Sequence, residues 1–149
     1  LKKTDDELKI RELSINDYNS LISLWEMAEL PYKPNGRDSR ENIRKQIEQN
    51  RSIYLVAEMG GKIVGSVLAT HDGRKGWINR IAVIPEHRMK GIAAKLVEEA
   101  ENRIYKLGIK IVACLVEDWN TSSMEVFEKL GYTKHDDIIY FTKRENSDV

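Results

Sequence analysis

Ile78-Asn79-Arg80-Ile81-Ala82-Val83-Ile84-Pro85-Glu86-His87-Arg88-Met89-Lys90-Gly91-Ile92-Ala93-Ala94-Lys95-Leu96 is the stretch that decides the fold. Its first part, 78–84, reads as a strand, and Pro85 ends it. A polar loop follows at 86–90, and a helix opens at Gly91. A strand, a glycine-bearing loop and a helix start together form an anion site. The first N–H groups of a helix lack intrahelical partners, and the macrodipole favours negative charge there. Gly91 lets the backbone approach a ligand closely, Ala93 keeps the surface shallow, and Arg88 and Lys90 add positive charge. The chain has neither the Gly-x-x-x-x-Gly-Lys-Ser/Thr run of a nucleotide triphosphate loop nor the Gly-x-Gly-x-x-Gly dinucleotide fingerprint. What stands there is Arg88-x-x-Gly91-x-Ala93.

Downstream, 91–107 carries one broad apolar stripe, Ile92, Ala93, Leu96, Val97, Ala100, Ile104 and Leu107, with Gly108 placed as a C-terminal cap. Residues 109–116 are apolar at successive positions, which predicts a central strand covered on both faces. Asn120 caps a helix running to Leu130, and Gly131 stops it. Two short strands, 132–134 and 138–143, are expected to finish the fold, ahead of a frayed tail at 144–149.

Upstream, 8–13 reads as a strand and 14–30 as a helix with Leu21, Leu24, Trp25 and Ala28 on one face, stopped by Pro31 and Pro34. Asp38 with Glu41 forms a capping-box-like start for a second helix carrying Ile43 and Ile47, which Asn50 ends. Residues 52–59 alternate as a strand, Gly60-Gly61 signals a hairpin, and 62–70 returns. After Asp72-Gly73 the chain enters the strand that ends at Ile84. The order β-α-α-β-β-β-α-β-α-β-β predicts an α/β (α+β) fold, a mixed sheet covered by helices.

The 149 residues suit one domain with a single core, and no repeat, low-complexity block or linker divides them. Lys plus Arg and Asp plus Glu are 24 each, so there is no global charge excess to attract nucleic acid or an anionic membrane. Cys114 is the single cysteine, so an intrachain disulfide and a cysteine-rich zinc module are excluded. Its mid-strand position suits a buried small hydrophobe, and three scattered histidines make no metal site. Residues 1–7 show no leader-like apolar region and no stretch is long enough to cross a bilayer, so a soluble cytoplasmic protein is expected.

The segment Ile81-Ala82-Val83-x-Pro85-x-x-Arg88-x-x-Gly91-x-Ala93 resembles the acetyl-CoA motif of the GNAT (GCN5-related) N-acetyltransferases, Arg/Gln-x-x-Gly-x-Gly/Ala after a strand ending in Ala-Val-x-Pro. A second segment, Asn120-x-x-Ser123-x-x-x-Phe127-x-Lys129-x-Gly131-Tyr132, resembles the family's Asn-x-x-Ala-x-x-x-Tyr-x-Lys-x-Gly-Phe, in family order. The resemblance covers about 52–143, and the chain is also similar to small YpeA-like members. It implies a splayed, mostly antiparallel sheet of six to seven strands flanked by four helices, one domain over 1–149. Pantetheine would lie between the diverging strands as an extra strand would. Ile81, Ala82 and Val83 would then bond pantetheine and the acetyl carbonyl. Arg88, Met89, Lys90, Gly91, Ile92, Ala93 and Ala94 would wrap the pyrophosphate, and Asn120, Ser123 and Phe127 would line the pantetheine arm.

The activity implied is direct transfer of acetyl from acetyl-CoA to a primary amine of a small molecule, protein or peptide, with no metal, no nucleic acid and no membrane partner, by a monomer or homodimer. An acetyl-CoA-binding sensor of the same fold is the alternative, because two catalytic positions depart from the family. A lysine amine has a pKa near ~10.4 and an α-amine near ~8, so the acceptor must be brought in neutral or be deprotonated. The strand before the loop, Trp77-Ile78-Asn79-Arg80, has no carboxylate, and Leu115 stands where other members place one. Phe127 replaces the tyrosine that protonates the leaving thiolate in many members. His71 near a turn, Glu117 and Tyr132 are therefore the remaining acid–base candidates. Tyr32 in the 31–37 loop and Trp119 are candidate acceptor-pocket residues.

Overall fold

In the computed structural model the described residues are 7–149. The leader-peptide reading therefore falls, except for Glu7, outside them. The elements in chain order are β1 (Lys9–Glu12), α1 (Tyr18–Met27), α2 (Arg40–Ile47), β2 (Ser52–Met59), β3 (Lys62–His71), β4 (Gly76–Val83), α3 (Ile92–Lys106), β5 (Val112–Cys114) and α4 (Thr121–Lys129). Short 3-10 turns at Ile15–Asp17 and Pro85–His87 precede α1 and the loop before α3. The five strands form one sheet in the order β1-β2-β3-β4-β5, antiparallel except for the parallel β4–β5 pair. No described helix is long and apolar enough to cross a membrane.

The central strands β2 and β3 alternate between two covered faces, as the all-buried Leu55-Val56-Ala57 shows. Gly65 points at α3, where an added Cβ would come within 3.0 Å of Leu96 and 3.2 Å of Ile92. The absence of a side chain there seats α3 directly on the sheet. Ser66, one residue on, faces the other way and accepts a hydrogen bond from the Trp25 indole Nε1 of α1 at 3.3 Å. Tyr54 shares that second face and donates to Gln46 of α2 at 2.9 Å. The core therefore has α1 and α2 on one side and α3 on the other, with Leu21, Leu24, Trp25, Leu96, Val97 and Ile104 buried.

Several expectations are corrected. Asp38 does not cap α2; Ser39 does, accepting from the Asn42 N–H at 3.2 Å, while the buried Asp38 carboxylate accepts from the Lys33 N–H at 2.7 Å. The loop takes up Asp38 first, leaving the cap to its neighbour. Leu107 is exposed because α3 ends at Lys106, before its stripe returns to the sheet. β5 is an edge strand, with Ile111 and Leu115 exposed. Among the described residues the sheet has five strands, not six or seven, because 132–134 and 138–143 form none. Their apolar alternation describes one chain, whereas a strand needs a hydrogen-bonding neighbour. Here Ile138, Ile139, Tyr140 and Phe141 stand in solvent. The tail is tied back: Lys33 Nζ donates to the Ser147 carbonyl at 2.8 Å and Arg144 Nη1 to the Val149 carbonyl at 2.6 Å.

Candidate active site

The site is built along β4. Its pairing with β5 runs from Gly76 opposite Val112 to Ile78 opposite Cys114 and stops there. Pairing with β3 continues to Val83, with Asn79 as an extra residue between Ile78 and Arg80. Such a bulge bends a strand and increases its twist. From Asn79 onward β4 turns from β5 and leaves an open wedge, with 79–83 along one wall and 115–117, which are not strand, beyond the other. That wall presents backbone N–H and C=O groups that β5 does not pair, a template for an extended ligand.

At the far end of β4, Ile84 bonds Val64 at 2.9 Å and the chain turns through Pro85–His87 into α3. Two residues of this loop lie in the left-handed region, Met89 at φ 66° and Gly91 at φ 77°. Gly91 is the N-cap of α3, and no side chain caps that end. The N–H groups of Ile92, Ala93 and Ala94 therefore emerge unpartnered from a 15-residue helix, a ready cradle for an anion. Nothing lies within 4 Å of where a Gly91 Cβ would be, so a ligand can reach this backbone. The Met89 side chain is fully exposed, and Lys90 is exposed beside it. Arg88 folds back, its Nε donating to the Val83 carbonyl at 3.2 Å, and so joins the loop to the end of β4. His87 Nδ1 is sealed from solvent without a partner.

The second segment follows β5. Asn120 caps α4 and its side chain accepts from the Ser123 N–H at 3.2 Å, which leaves the amide NH2 free to donate. Phe127 is buried, its ring edge-on to Tyr132 with centroids 5.0 Å apart. The Tyr132 hydroxyl donates to Glu101 of α3 at 2.5 Å. Burial, then the Glu101 carboxylate, hold this phenol far above its ordinary range. Cys114, at the vertex of the wedge, is half-buried, and desolvation pushes its thiol up to about 11, which makes it a poor nucleophile.

The remaining candidates are spread out. His71 pairs with Gly76, at the end where β4 and β5 are still joined, so it does not stand at the opening of the sheet. Its Nδ1 accepts from the Gly73 N–H at 3.1 Å within the turn. Glu117 is exposed beyond β5. Trp119 is exposed, while Tyr32 packs against Trp25 with ring centroids 6.3 Å apart, so the two aromatic candidates do not form one pocket wall. Sequence reasoning missed Arg80, whose guanidinium lies 4.5 Å over the Trp25 ring. Only the bulge at Asn79, invisible in the alternation, turns it to that face. Surface hollows beside Ile47 and Tyr54 and beside Arg11 and Glu58 share no residue with the wedge.

The arrangement is an open strand edge followed by a helix start whose N–H groups no side chain caps. Residues 20–132 match the acetyltransferase (GNAT) family. The chain is 29% identical to an acetyltransferase of Sodalis glossinidius over 92% of its length and 95% of that protein, and 30% identical to one of Photorhabdus laumondii over the same shares. The fold superposes on the PaiA N-acetyltransferase of Thermoplasma acidophilum in complex with coenzyme A, with a TM-score of 0.79 at 22% identity, covering 87% of this chain and 92% of the other. It also superposes on an aminoglycoside N-acetyltransferase in complex with CoA, at 0.76 and 19% identity over 93% and 95%. The chain belongs to the GNAT acetyltransferase family, and its fold is the α+β fold of that family.

Proposed function

We propose that this acetyltransferase takes acetyl-CoA as donor and passes the acetyl group directly to a primary amine, on a small molecule or a peptide, within a single domain. The observation that supports this best is the pair of features on one strand. β4 carries an open wedge from Asn79 and an uncapped helix start just beyond Val83, at the two places a thioester arm and a pyrophosphate need. Relatives of the same fold hold coenzyme A. Ile81, Ala82 and Val83 present the unpaired backbone edge to the pantetheine arm, and the loop from Arg88 to Ala94 surrounds the pyrophosphate. Asn120 and Ser123 lie at the start of α4, with the Asn120 amide as donor to the arm.

Bound acetyl-CoA supplies an acyl carbon already activated as a thioester. A backbone N–H at 81–83 polarises its carbonyl. No carboxylate stands on 77–80, so the acceptor enters as the neutral amine and its proton leaves to water. Phe127 has no hydroxyl and the Tyr132 O–H is engaged in a hydrogen bond to Glu101, so the departing thiolate is protonated by solvent. The test is thiol release from acetyl-CoA against a panel of amines with an amine-free blank. Amine-dependent release with a matching acetylated product is expected. Binding of acetyl-CoA with no release across the panel would instead favour a sensor, and absence of binding would overturn the site.

A further inference from the structure

Arg80 is the residue of β4 that the transferase reading leaves unused. Cross-strand partners share a face, and Ile78 opposite Ala69 lies on the α3 side with Gly65. Two residues along a regular strand, Arg80 would face α3 as well. The extra residue Asn79 reverses this, and Arg80 stands opposite Leu68 on the side of α1. There its guanidinium is stacked on Trp25, and the side chain is only 14% exposed. It makes one hydrogen bond, from Nη1 to the Pro31 carbonyl at 2.8 Å. Asp38 is the nearest carboxylate, but its Oδ2 lies 3.9 Å from Nη2, beyond hydrogen-bonding distance. That oxygen is already bonded by the Lys33 N–H and also faces Arg37 Nε at 3.8 Å. Arg40 lies over Tyr18, whose hydroxyl donates to the Asp38 carbonyl. Glu26, which faces Tyr32, is the other carboxylate at this end of α1. The one sealed side-chain nitrogen or oxygen without a partner among the described residues is His87 Nδ1, so the free nitrogens of Arg80 are open to the outside.

We propose that Arg80 binds a carboxylate on the acceptor, so that the substrate is a small amine carrying its own carboxylate, an amino-acid-like compound. The proposal rests on the transferase reading and names its substrate class. A guanidinium removed from water with most of its donors unfilled is matched by a planar anion that takes two of them at once. The Trp25 face holds the guanidinium plane, so little is lost in ordering it. Arg80 adjoins Ile81, the first residue of the edge assigned to the thioester, which suits a small acceptor that carries both its amine and its carboxylate. A polyamine would meet Arg37 and Arg80 around one buried carboxylate, and that mismatch selects against it.

Matched pairs test this: lysine against 1,5-diaminopentane, and phenylalanine against phenethylamine, with acetyl-CoA saturating. The carboxylate-bearing member is expected to be favoured about tenfold or more in kcat/KM, chiefly through KM. In Arg80→Gln that ratio is expected to fall to within about threefold, and Arg80→Lys to lie between, because it keeps charge without the planar fork. Equal or better use of the decarboxylated members by the wild type would overturn the assignment and leave the transferase standing. A ratio that survives in a folded Arg80→Gln would also overturn it. No turnover of any of the four would overturn the amino-acid-like assignment, while the transferase reading is decided separately by the wider amine panel. The wild-type comparison needs no variant, so a misfolded Arg80→Gln does not disable the test.

Discussion

Ile78 and Cys114 are the last partners that β4 and β5 share. One residue later the bulge at Asn79 turns β4 away, so the edge at 79–83 has β3 on one side and no strand on the other. An unpaired edge exchanges its amide hydrogens readily unless something hydrogen-bonds to it. Coenzyme A is expected to slow exchange in peptides covering 80–84 and 91–95, by about tenfold or more at saturation, while peptides from β1 and β2 change little. Hydrogen-exchange mass spectrometry with and without coenzyme A measures this. Protection confined to another part of the surface would remove the wedge as the binding site.

Gly91 separates backbone geometry from charge. At φ 77° any side chain is strained, yet no atom stands within 4 Å of the new Cβ. Gly91→Ala should therefore cost about 1 kcal/mol in stability and change coenzyme A affinity by a few-fold at most. Gly91→Asp carries the same strain and also sets a carboxylate where the unpartnered N–H groups of α3 point, and should weaken coenzyme A binding by about a hundredfold. Urea melts and calorimetric titration of both variants check this. Equal affinity for the two would show that no anion sits at this helix start.

The loop between β4 and α3 was legible because its residues act locally: a proline ending a strand, a glycine in a left-handed conformation and an apolar helical stripe all leave marks along the chain. The two glycines of the β2–β3 hairpin, at φ 60° and 73°, are legible for the same reason. The wedge was not legible from the residues alone. It arises from one extra residue in a ladder, and only the pairing with Leu68 and Ala69 supplies the register that reveals it. Asp38 shows the same limit, since its spacing to Glu41 suits a cap but the fold gives its carboxylate to Lys33.

The last apolar segment is where periodicity and structure part, and that difference is measurable. Phe141 is 86% exposed, with Ile139 and Tyr140 also outside. Phe141→Ser should therefore change the unfolding free energy by less than about 0.5 kcal/mol. A strand paired against β5 would bury that ring, and its loss would then cost about 3 kcal/mol or more. Denaturant midpoints of the two proteins decide between these outcomes.

Tyr132 stands next to the position where many family members carry their acid, which makes its hydrogen bond consequential. The hydroxyl donates to Glu101, and burial with that carboxylate raises the phenol pKa above its unfolded value. The sign follows: the native state holds this proton more tightly than the unfolded chain. Its contribution is complete below about pH 10 and is lost as pH rises above the unfolded phenol pKa towards the folded one. Tyr132→Phe removes the contribution and should lower stability by about 1 kcal/mol at pH 8, with the gap to wild type closing above pH 10. Because the hydroxyl is held on Glu101 by its hydrogen bond, kcat in the variant should stay within about threefold of wild type at pH 8, where loss of a general acid would remove about a hundredfold. Urea unfolding from pH 8 to 11 and steady-state rates at pH 8 test both halves. A collapse of kcat with stability intact would instead make Tyr132 the acid that Phe127 cannot be.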